Sequence, residues 1–158
     1  MTGNVEQVFD LYGDMILRLA MARTGNRQDG EDLLQEVFVR YIRSGIVFES
    51  EEHRKAWLIR VTINCSKSLM KSGWKTRHTS LEECHGMYDE IDRASEVYDA
   101  VMQLPARYRT VIHLFYYEEL STKQIAESMD CSEGTVRSLL SRGRKKLQKL
   151  LKGEELRV

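Results

Sequence analysis

The residues with the clearest chemical character lie near the end of the chain, where basic side chains recur at helical spacing. Between residues 137 and 152 there are seven Lys or Arg residues and no acidic residue. Arginine can hydrogen-bond the edge of a guanine base, whereas lysine more often contacts phosphates. The segment therefore predicts a helix that binds DNA. Its candidate contacts are Glu133, Thr135, Arg137, Ser138, Ser141, Arg142, Lys145 and Lys149.

A second basic face is predicted in the first half of the chain. At about 100° per residue, one side of a helix carries Arg60, Asn64, Lys67 and Lys71. An asparagine among basic residues suits contact with phosphates and bases. The alternative interpretation is a charged face that is simply solvated.

Two short helices would position the first basic segment. Ser121 can cap a helix over about 122–129, Asp130 and Cys131 form a turn, and Ser132 can cap a helix that runs to about 152. Two helices joined by a tight turn, the second of them basic, are typical of a helix-turn-helix. The alternative is a basic amphipathic helix for a membrane surface or a protein partner.

The rest of the chain also reads as helices. Apolar periodicity predicts three N-terminal helices over about 5–23, 29–44 and 51–72, and two more over about 92–103 and 106–118. The first two stripes include Leu11 and Ile42. Residues 76–91 have no such period and fall in a segment with a net charge of −5 over residues 76–100. We predict an all-α fold of two small helical domains joined by a flexible acidic linker.

Composition agrees with that fold class. A single Pro and ten Gly in 158 residues argue against a many-stranded β-fold. No apolar run reaches the length of a membrane span, and no secretion signal is visible, so we expect a cytoplasmic protein. The three cysteines, an odd number, predict reduced thiols.

Enzymatic function is not expected, because no phosphate-binding glycine loop or activated nucleophile is visible. His78, Cys84 and His85 lie close together in sequence but lack the paired spacing of a zinc site, so no metal or other cofactor is predicted. The competing function is an ordinary helix-turn-helix regulator whose residues 1–75 form an interaction domain.

Several of these segments together resemble one family. The stretch Asp29–Phe38 (DGEDLLQEVF), with Trp57, Arg60 and Asn64 further on, resembles region two of extracytoplasmic-function sigma factors of the sigma-70 family. The stretches Leu104–Val111 (LPARYRTV) and Ser132–Arg137 (SEGTVR) resemble region four. Leu139, Ser141 and Gly143 depart from the family pattern, which leaves the preferred DNA sequence undetermined.

The resemblance implies an alternative sigma factor that binds core RNA polymerase and directs it to promoter DNA. Residues 1–75 would form the region-two domain, 76–91 the linker and 92–158 the region-four domain. An acidic and polar edge would meet the polymerase, although acids at a helix start also simply favour the helix dipole; it comprises Asp29, Asp32, Gln35 and Glu36.

Promoter contacts also follow from the resemblance. The minus-ten element would meet the second basic face, with Phe48 as an aromatic for an extruded base; the residues are Phe48, Arg60, Asn64, Lys67 and Lys71. The minus-thirty-five element would meet the last helix. The family also implies an anti-sigma partner that can hold the protein at the membrane, and it implies no small-molecule substrate.

Overall fold

The computed structural model describes residues 4–71 and 95–153, and within those ranges every regular element is helical. The chain divides into two compact units, residues 1–78 and 79–158. The predicted all-α class is therefore confirmed. The predicted linker over 76–91 lies outside the described residues.

The described part of unit 1, residues 4–71, contains three helices. They are α1 (Val5–Thr24), α2 (Arg27–Ser44) and α3 (Glu51–Lys71). Asn4 caps α1 by accepting a hydrogen bond from the backbone N–H of Glu6, and Ser50 caps α3 by accepting one from His53. The predicted capping residues thus begin these two helices.

The helix α2 begins two residues earlier than the sequence pattern suggests. Its cap is Asn26, whose side chain accepts a hydrogen bond from the backbone N–H of Asp29. Because the helix starts at Arg27, Asp29 falls inside the first turn and not at its entrance. Gly30 then faces α1 so closely that a Cβ there would lie 2.7 Å from Cγ of Met21. A glycine at this position allows the two helices to approach.

The core of unit 1 is apolar and is crossed by one buried polar contact. Its fully buried side chains include Ile16, Leu19, Leu33, Leu58 and Ile63. The buried guanidinium of Arg23 on α1 donates a 2.8 Å hydrogen bond from Nε to Oγ of Ser66 on α3. Buried charges need such partners, and this bond joins the two helices.

Two residues of the predicted apolar stripes lie outside this core. Leu11 is 66% exposed and Ile42 is 59% exposed. At about 100° per residue, Ile42 lies more than 90° around α2 from the buried face that Leu33 and Val37 define. Among residues 4–71, where three helices pack together, the edges of these stripes remain uncovered.

Unit 2 contains four α-helices in its described part. They are α4 (Ser95–Gln103), α5 (Ala106–Ile112), α6 (Thr122–Met129) and α7 (Glu133–Leu151). Its core includes Tyr98, Leu104, Ile112, Leu114 and Ile125. The helices α4, α5 and α6 all contact α7, so they form the support that holds this long helix in place.

The helix predicted over 106–118 is not α-helical throughout. After α5 the chain continues as a π-helical segment, His113–Tyr117. The wider turn closes with a hydrogen bond from the backbone N–H of Glu118 to the carbonyl of His113, and Glu118 Oε2 lies 3.1 Å from His113 Nε2. Both side chains of this pair are buried. Apolar periodicity alone does not distinguish such a turn from an α-helix.

Candidate nucleic-acid interface

The helix-turn-helix forms as its capping residues predict. Ser121 and Gln124 make a complete capping box at the start of α6, and Ser132 caps α7. Between the helices, Asp130 has φ 56° and ψ 52°, the left-handed conformation that aspartate tolerates better than most residues. The Thr122 hydroxyl donates a 3.3 Å hydrogen bond to Oε2 of Glu133, which ties the starts of α6 and α7 together.

One side of α7 packs on unit 2 and the other is open. Val136, Leu140 and Gly143 are buried. A Cβ at Gly143 would lie 3.0 Å from Cδ1 of Ile112 on α5, so the absence of a side chain allows close packing. This contact explains why a glycine stands at this position.

The open side carries the predicted DNA contacts. Thr135, Arg137, Ser141, Arg142, Lys145 and Lys149 are exposed, whereas Glu133 and Ser138 are half-buried. The Arg137 guanidinium, 63% exposed, donates a 3.2 Å hydrogen bond to Glu133. Exposed pairs of this spacing are worth only about 0.3–0.5 kcal/mol, so a base can displace Glu133.

The Arg142 guanidinium is held by a neutral partner. It donates a 2.6 Å hydrogen bond to the hydroxyl of Ser138, one helical turn earlier. A hydroxyl orients the side chain without neutralising its charge. All eight predicted residues therefore lie on one helix. The partner of Arg137 is an acidic side chain, whereas the partner of Arg142 is a neutral hydroxyl.

A further arginine on α7 is held by aromatic residues that sequence reasoning did not select. Arg144 donates a 2.6 Å hydrogen bond from Nε to the Tyr116 hydroxyl and lies over the Phe115 and Tyr116 rings. The partners are 28 residues apart in sequence. No local pattern could have revealed this pairing, because it depends on how the π-helical segment packs beside α7.

The second basic face lies on α3 in unit 1. Arg60, Asn64 and Lys67 are exposed at the predicted helical spacing. None of the three side chains makes a hydrogen bond or ion pair with another residue in the ranges 4–71 and 95–153. Lys71 is the last residue of α3, and its side chain lies outside the described part.

Phe48 does not belong to an open surface, which corrects its predicted role in stacking on an extruded base. Its side chain is only 3% exposed. The ring stacks on Tyr41 with centroids 5.9 Å apart, meets Trp57 edge-on at 5.7 Å, and lies under the Arg54 guanidinium. Aromatic packing and a cation–π contact fix the ring in the core. The exposed apolar residues beside it are Ile46 and Val47.

Asp29 also requires correction, because it does not contribute to an exposed acidic edge. It is 4% exposed, and its Oδ2 accepts a 2.8 Å hydrogen bond from Nδ2 of Asn26. Together with the cap at its backbone N–H, this makes a reciprocal contact that stabilises the start of α2. The role of Asp29 in this structure is to hold the helix end.

The polar edge of α2 is therefore shorter than predicted. An exposed apolar residue that the sequence analysis did not single out lies beside it. Gln35 is exposed, Asp32 is half-buried, and Glu36 accepts a 3.1 Å hydrogen bond from Arg40. Val39 lies seven residues after Asp32, on the same helix face, and is 37% exposed. Helical spacing could have identified it.

Other expectations concern metals, membranes and thiols. His78, Cys84 and His85 lie outside the described residues, and the described ones contain no cluster of ligands that could hold a metal ion. No helix in the same ranges has the length and apolar character needed to cross a membrane. Cys65 is buried, and burial raises the pKa of its thiol. A raised pKa disfavours the reactive thiolate.

Comparison with known proteins places both units in one family. Residues 8–76 match the family "Sigma-70 region 2", and residues 94–147 match "Sigma-70, region 4". The first match covers the three helices of unit 1 and disfavours the interpretation as an ordinary regulator. The second match covers the helix-turn-helix.

Individual proteins give the same assignment. The chain is 28% identical to "ECF RNA polymerase sigma factor SigW" of Bacillus subtilis, over 92% of this chain and 87% of that protein. It is 30% identical to "ECF RNA polymerase sigma-E factor" of Haemophilus influenzae, over 81% of this chain and 77% of the relative.

A solved structure shares the fold. The sigma factor RpoE of Bartonella quintana, crystallised with the anti-sigma factor NepR, aligns with a TM-score of 0.71 at 23% identity, covering 95% of this chain and 98% of that one. The two regions, their order and the relatives agree: the chain is a member of the extracytoplasmic-function group of the sigma-70 family and serves as an alternative sigma factor.

Proposed function

We propose that this sigma factor binds core RNA polymerase mainly through residues 1–75 and positions residues 92–158 on the upstream part of the promoter, with 76–91 as the connection. The observation that carries the proposal is the pairing of a region-two match with a region-four helix whose exposed side is basic. The chain contributes binding and not catalysis. It works in the cytoplasm, where polymerase and promoter DNA are found.

The outward face of α2 supplies the polymerase contact in this proposal. Asp32, Gln35 and Glu36 give it polar and acidic character, and Val39, about one turn after Gln35 and Glu36, adds exposed apolar surface. Interfaces commonly combine apolar contact with a polar rim, and acids favour a basic partner surface. Asp29 acts indirectly in this scheme, by fixing the start of the helix.

The minus-ten element is assigned to the exposed side of α3. Arg60 and Lys67 would contact phosphates, and Asn64 lies between them, where an amide can hydrogen-bond a base. Lys71 would extend the same face. Phe48 supports the adjoining loop from below, because its ring is packed against Tyr41 and Trp57.

The minus-thirty-five element is assigned to α7 as double-stranded DNA. The early positions, from Glu133 to Arg142, would meet base edges, and Lys145 and Lys149 would meet phosphates. The hydrogen bond from Arg142 to Ser138 preorganises Arg142 before DNA arrives, whereas a base would displace the weak, exposed contact of Arg137 with Glu133. Preorganised side chains lose less entropy on binding.

Regulation by an anti-sigma factor is also proposed. The structural relative from Bartonella quintana was crystallised with such an inhibitor. A masking protein of this class would cover the polymerase-binding face of α2 or the open side of α7. If it is anchored in the membrane, it holds the sigma factor there until a signal releases it.

Reconstitution tests the proposed function directly. The purified chain is added to core polymerase, and run-off transcription is measured on fragments of the source genome. We expect initiation at discrete sites only when both components are present. The chain alone is the control, and it should bind free DNA poorly. Specific, tight binding to DNA without polymerase would instead support an ordinary helix-turn-helix regulator.

A further inference from the structure

A group of three basic side chains surrounds one tyrosine on the flank of α7. The Arg107 guanidinium lies over the Tyr108 ring at 4.6 Å from its centroid and donates a 3.3 Å hydrogen bond to its hydroxyl. Lys146 Nζ lies 5.6 Å from the same centroid. The hydrogen bond from Arg107, together with the proximity of Arg142 and Lys146, lowers the pKa of the Tyr108 phenol. We call Arg107, Arg142 and Lys146 the Tyr108 cation cluster.

The two arginines of the cluster are bonded to hydroxyl groups and not to acidic residues within the described part of unit 2. Within residues 95–153, neither Arg107 nor Arg142 lies within ion-pair distance of a carboxylate. Their hydrogen bonds go to hydroxyl groups, of Tyr108 and Ser138. Like charges held together in this way repel one another, and an anion placed among them relieves that repulsion.

The position of the cluster indicates where the anion comes from. Arg142 belongs to the open side of α7, Lys146 follows one turn later at its edge, and Gly143 between them packs against Tyr108 on α5. The basic surface thus continues from the open side of α7 around its flank onto α5. An α-helix nearly fills the major groove, so its flanks face the phosphate strands that border the groove.

We propose that the Tyr108 cation cluster binds one backbone phosphate of the DNA strand beside the minus-thirty-five element. The proposal rests on the proposed docking of α7 in that element. Arg107 is the new contact, supplied from α5, outside the helix-turn-helix. Tyr108 positions it, because the ring and hydroxyl hold the guanidinium toward Arg142 and Lys146. An acidic protein segment is the other chemical match, but two of the three cations lie on the DNA-binding helix.

The test uses reconstituted holoenzyme and a promoter fragment identified by the run-off assay. Single phosphates on both strands are replaced in turn by uncharged methylphosphonate, and the affinity of each fragment is measured. At one linkage, replacing the phosphate should lower the affinity of wild type for the fragment. The same replacement should leave the affinities of Arg107→Gln and Lys146→Gln unchanged. Lys149→Gln also removes one positive charge. Its affinity should still fall at that linkage, and it should be unchanged by phosphate replacement at a different linkage.

Salt dependence and a conservative variant complete the experiment. One lost phosphate contact should lower the salt slope by about one unit, so the affinity advantage of wild type over Arg107→Gln should shrink about fourfold between about 50 and 200 mM salt. Tyr108→Phe keeps the ring but removes the hydroxyl, and it should show a partial loss at the same linkage. Circular dichroism checks that each variant is folded.

Three results would overturn the proposal. If Arg107→Gln responds like wild type at every linkage while Lys149→Gln does not, Arg107 touches no phosphate, although the docking of α7 stands. If Arg107→Gln weakens binding to core polymerase without DNA, the cluster binds an acidic protein segment. If neither wild type nor Lys149→Gln loses affinity when any single phosphate is replaced, both this proposal and the proposed docking of α7 are rejected.

Discussion

The hydroxyl of Tyr12 on α1 donates a 2.7 Å hydrogen bond to the carboxylate of Glu51, the first residue of α3. Glu51 also forms an ion pair with the buried guanidinium of Arg54, which lies over the Phe48 ring. A continuous set of contacts therefore connects α1 with the loop between α2 and α3. These contacts fix the shape of the loop at the start of α3, the helix that carries the proposed minus-ten surface.

The Tyr12–Glu51 contact predicts a stability change at alkaline pH. Burial and the hydrogen bond to Glu51 raise the pKa of Tyr12 to about 12, above the value of about 10 in an unfolded chain. The folded state therefore keeps a proton that the unfolded state releases. The stabilisation is complete below about pH 10 and is lost as the pH rises toward 12.

Urea denaturation of wild type and Tyr12→Phe tests this prediction. The variant should be less stable at about pH 8, and the difference should shrink by about pH 11, because ionisation of Tyr12 destabilises only the wild type. Other titrating groups are common to both proteins and cancel in the comparison. A stability difference that stays constant over this range would show that Tyr12 does not titrate as proposed.

Phe48 should contribute to folding and not to base capture. Phe48→Ala should lower the free energy of unfolding by about 3–5 kcal/mol, because it leaves a cavity beside Tyr41 and Trp57. Phe48→Leu should cost less and should retain promoter opening, measured by permanganate reactivity of unpaired thymines. If Phe48→Leu is stable but fails to open promoters, the aromatic ring acts on DNA after all.

The polymerase-binding face of α2 can be tested by a double variant. Asp32→Lys with Gln35→Ala should weaken binding to core polymerase by about tenfold or more, since a charge reversal at an interface adds repulsion to the lost contact. Co-purification with core polymerase provides the measurement. Asp14→Lys, an equal charge change on an exposed residue of α1, is the control. Equal recovery of polymerase by the double variant and wild type would reject the assignment.

Arg137 and Lys149 should have different roles on α7. A bidentate contact between arginine and guanine discriminates by about 1–3 kcal/mol, which is roughly 5- to 150-fold. Arg137→Ala should therefore relax the preference at one or two base pairs of the minus-thirty-five element. Lys149→Ala should weaken all sequences alike and reduce the salt slope by about one unit.

The measurement for this pair is transcription by holoenzyme on a library of minus-thirty-five substitutions at two salt concentrations. Glu133→Gln is an informative companion, because it removes the charge that pairs with Arg137 in the free protein. Its effect on folding stability should be small, since that pair is exposed. If Lys149→Ala changes base preference and Arg137→Ala does not, α7 docks in the opposite direction.

Local chemistry explains why much of the fold could be predicted. Capping residues such as Ser121 and Ser132 act within three residues of themselves, so their hydrogen bonds to helix N–H groups are encoded in short stretches of sequence. The left-handed turn at Asp130 is likewise a local conformation. For the same reason the exposed basic side of α7 followed from helical periodicity.

The sequence by itself determined the all-α class, most helix ends, the sigma-factor resemblance and the basic faces of α3 and α7. Only the tertiary structure decided that Phe48 and Asp29 are buried, that Arg144 is held by Tyr116, and that Arg107 joins Arg142 and Lys146 around Tyr108. Periodicity describes one helix at a time. Burial and cation clustering depend on which residues from distant helices meet, and those contacts form only when the helices pack.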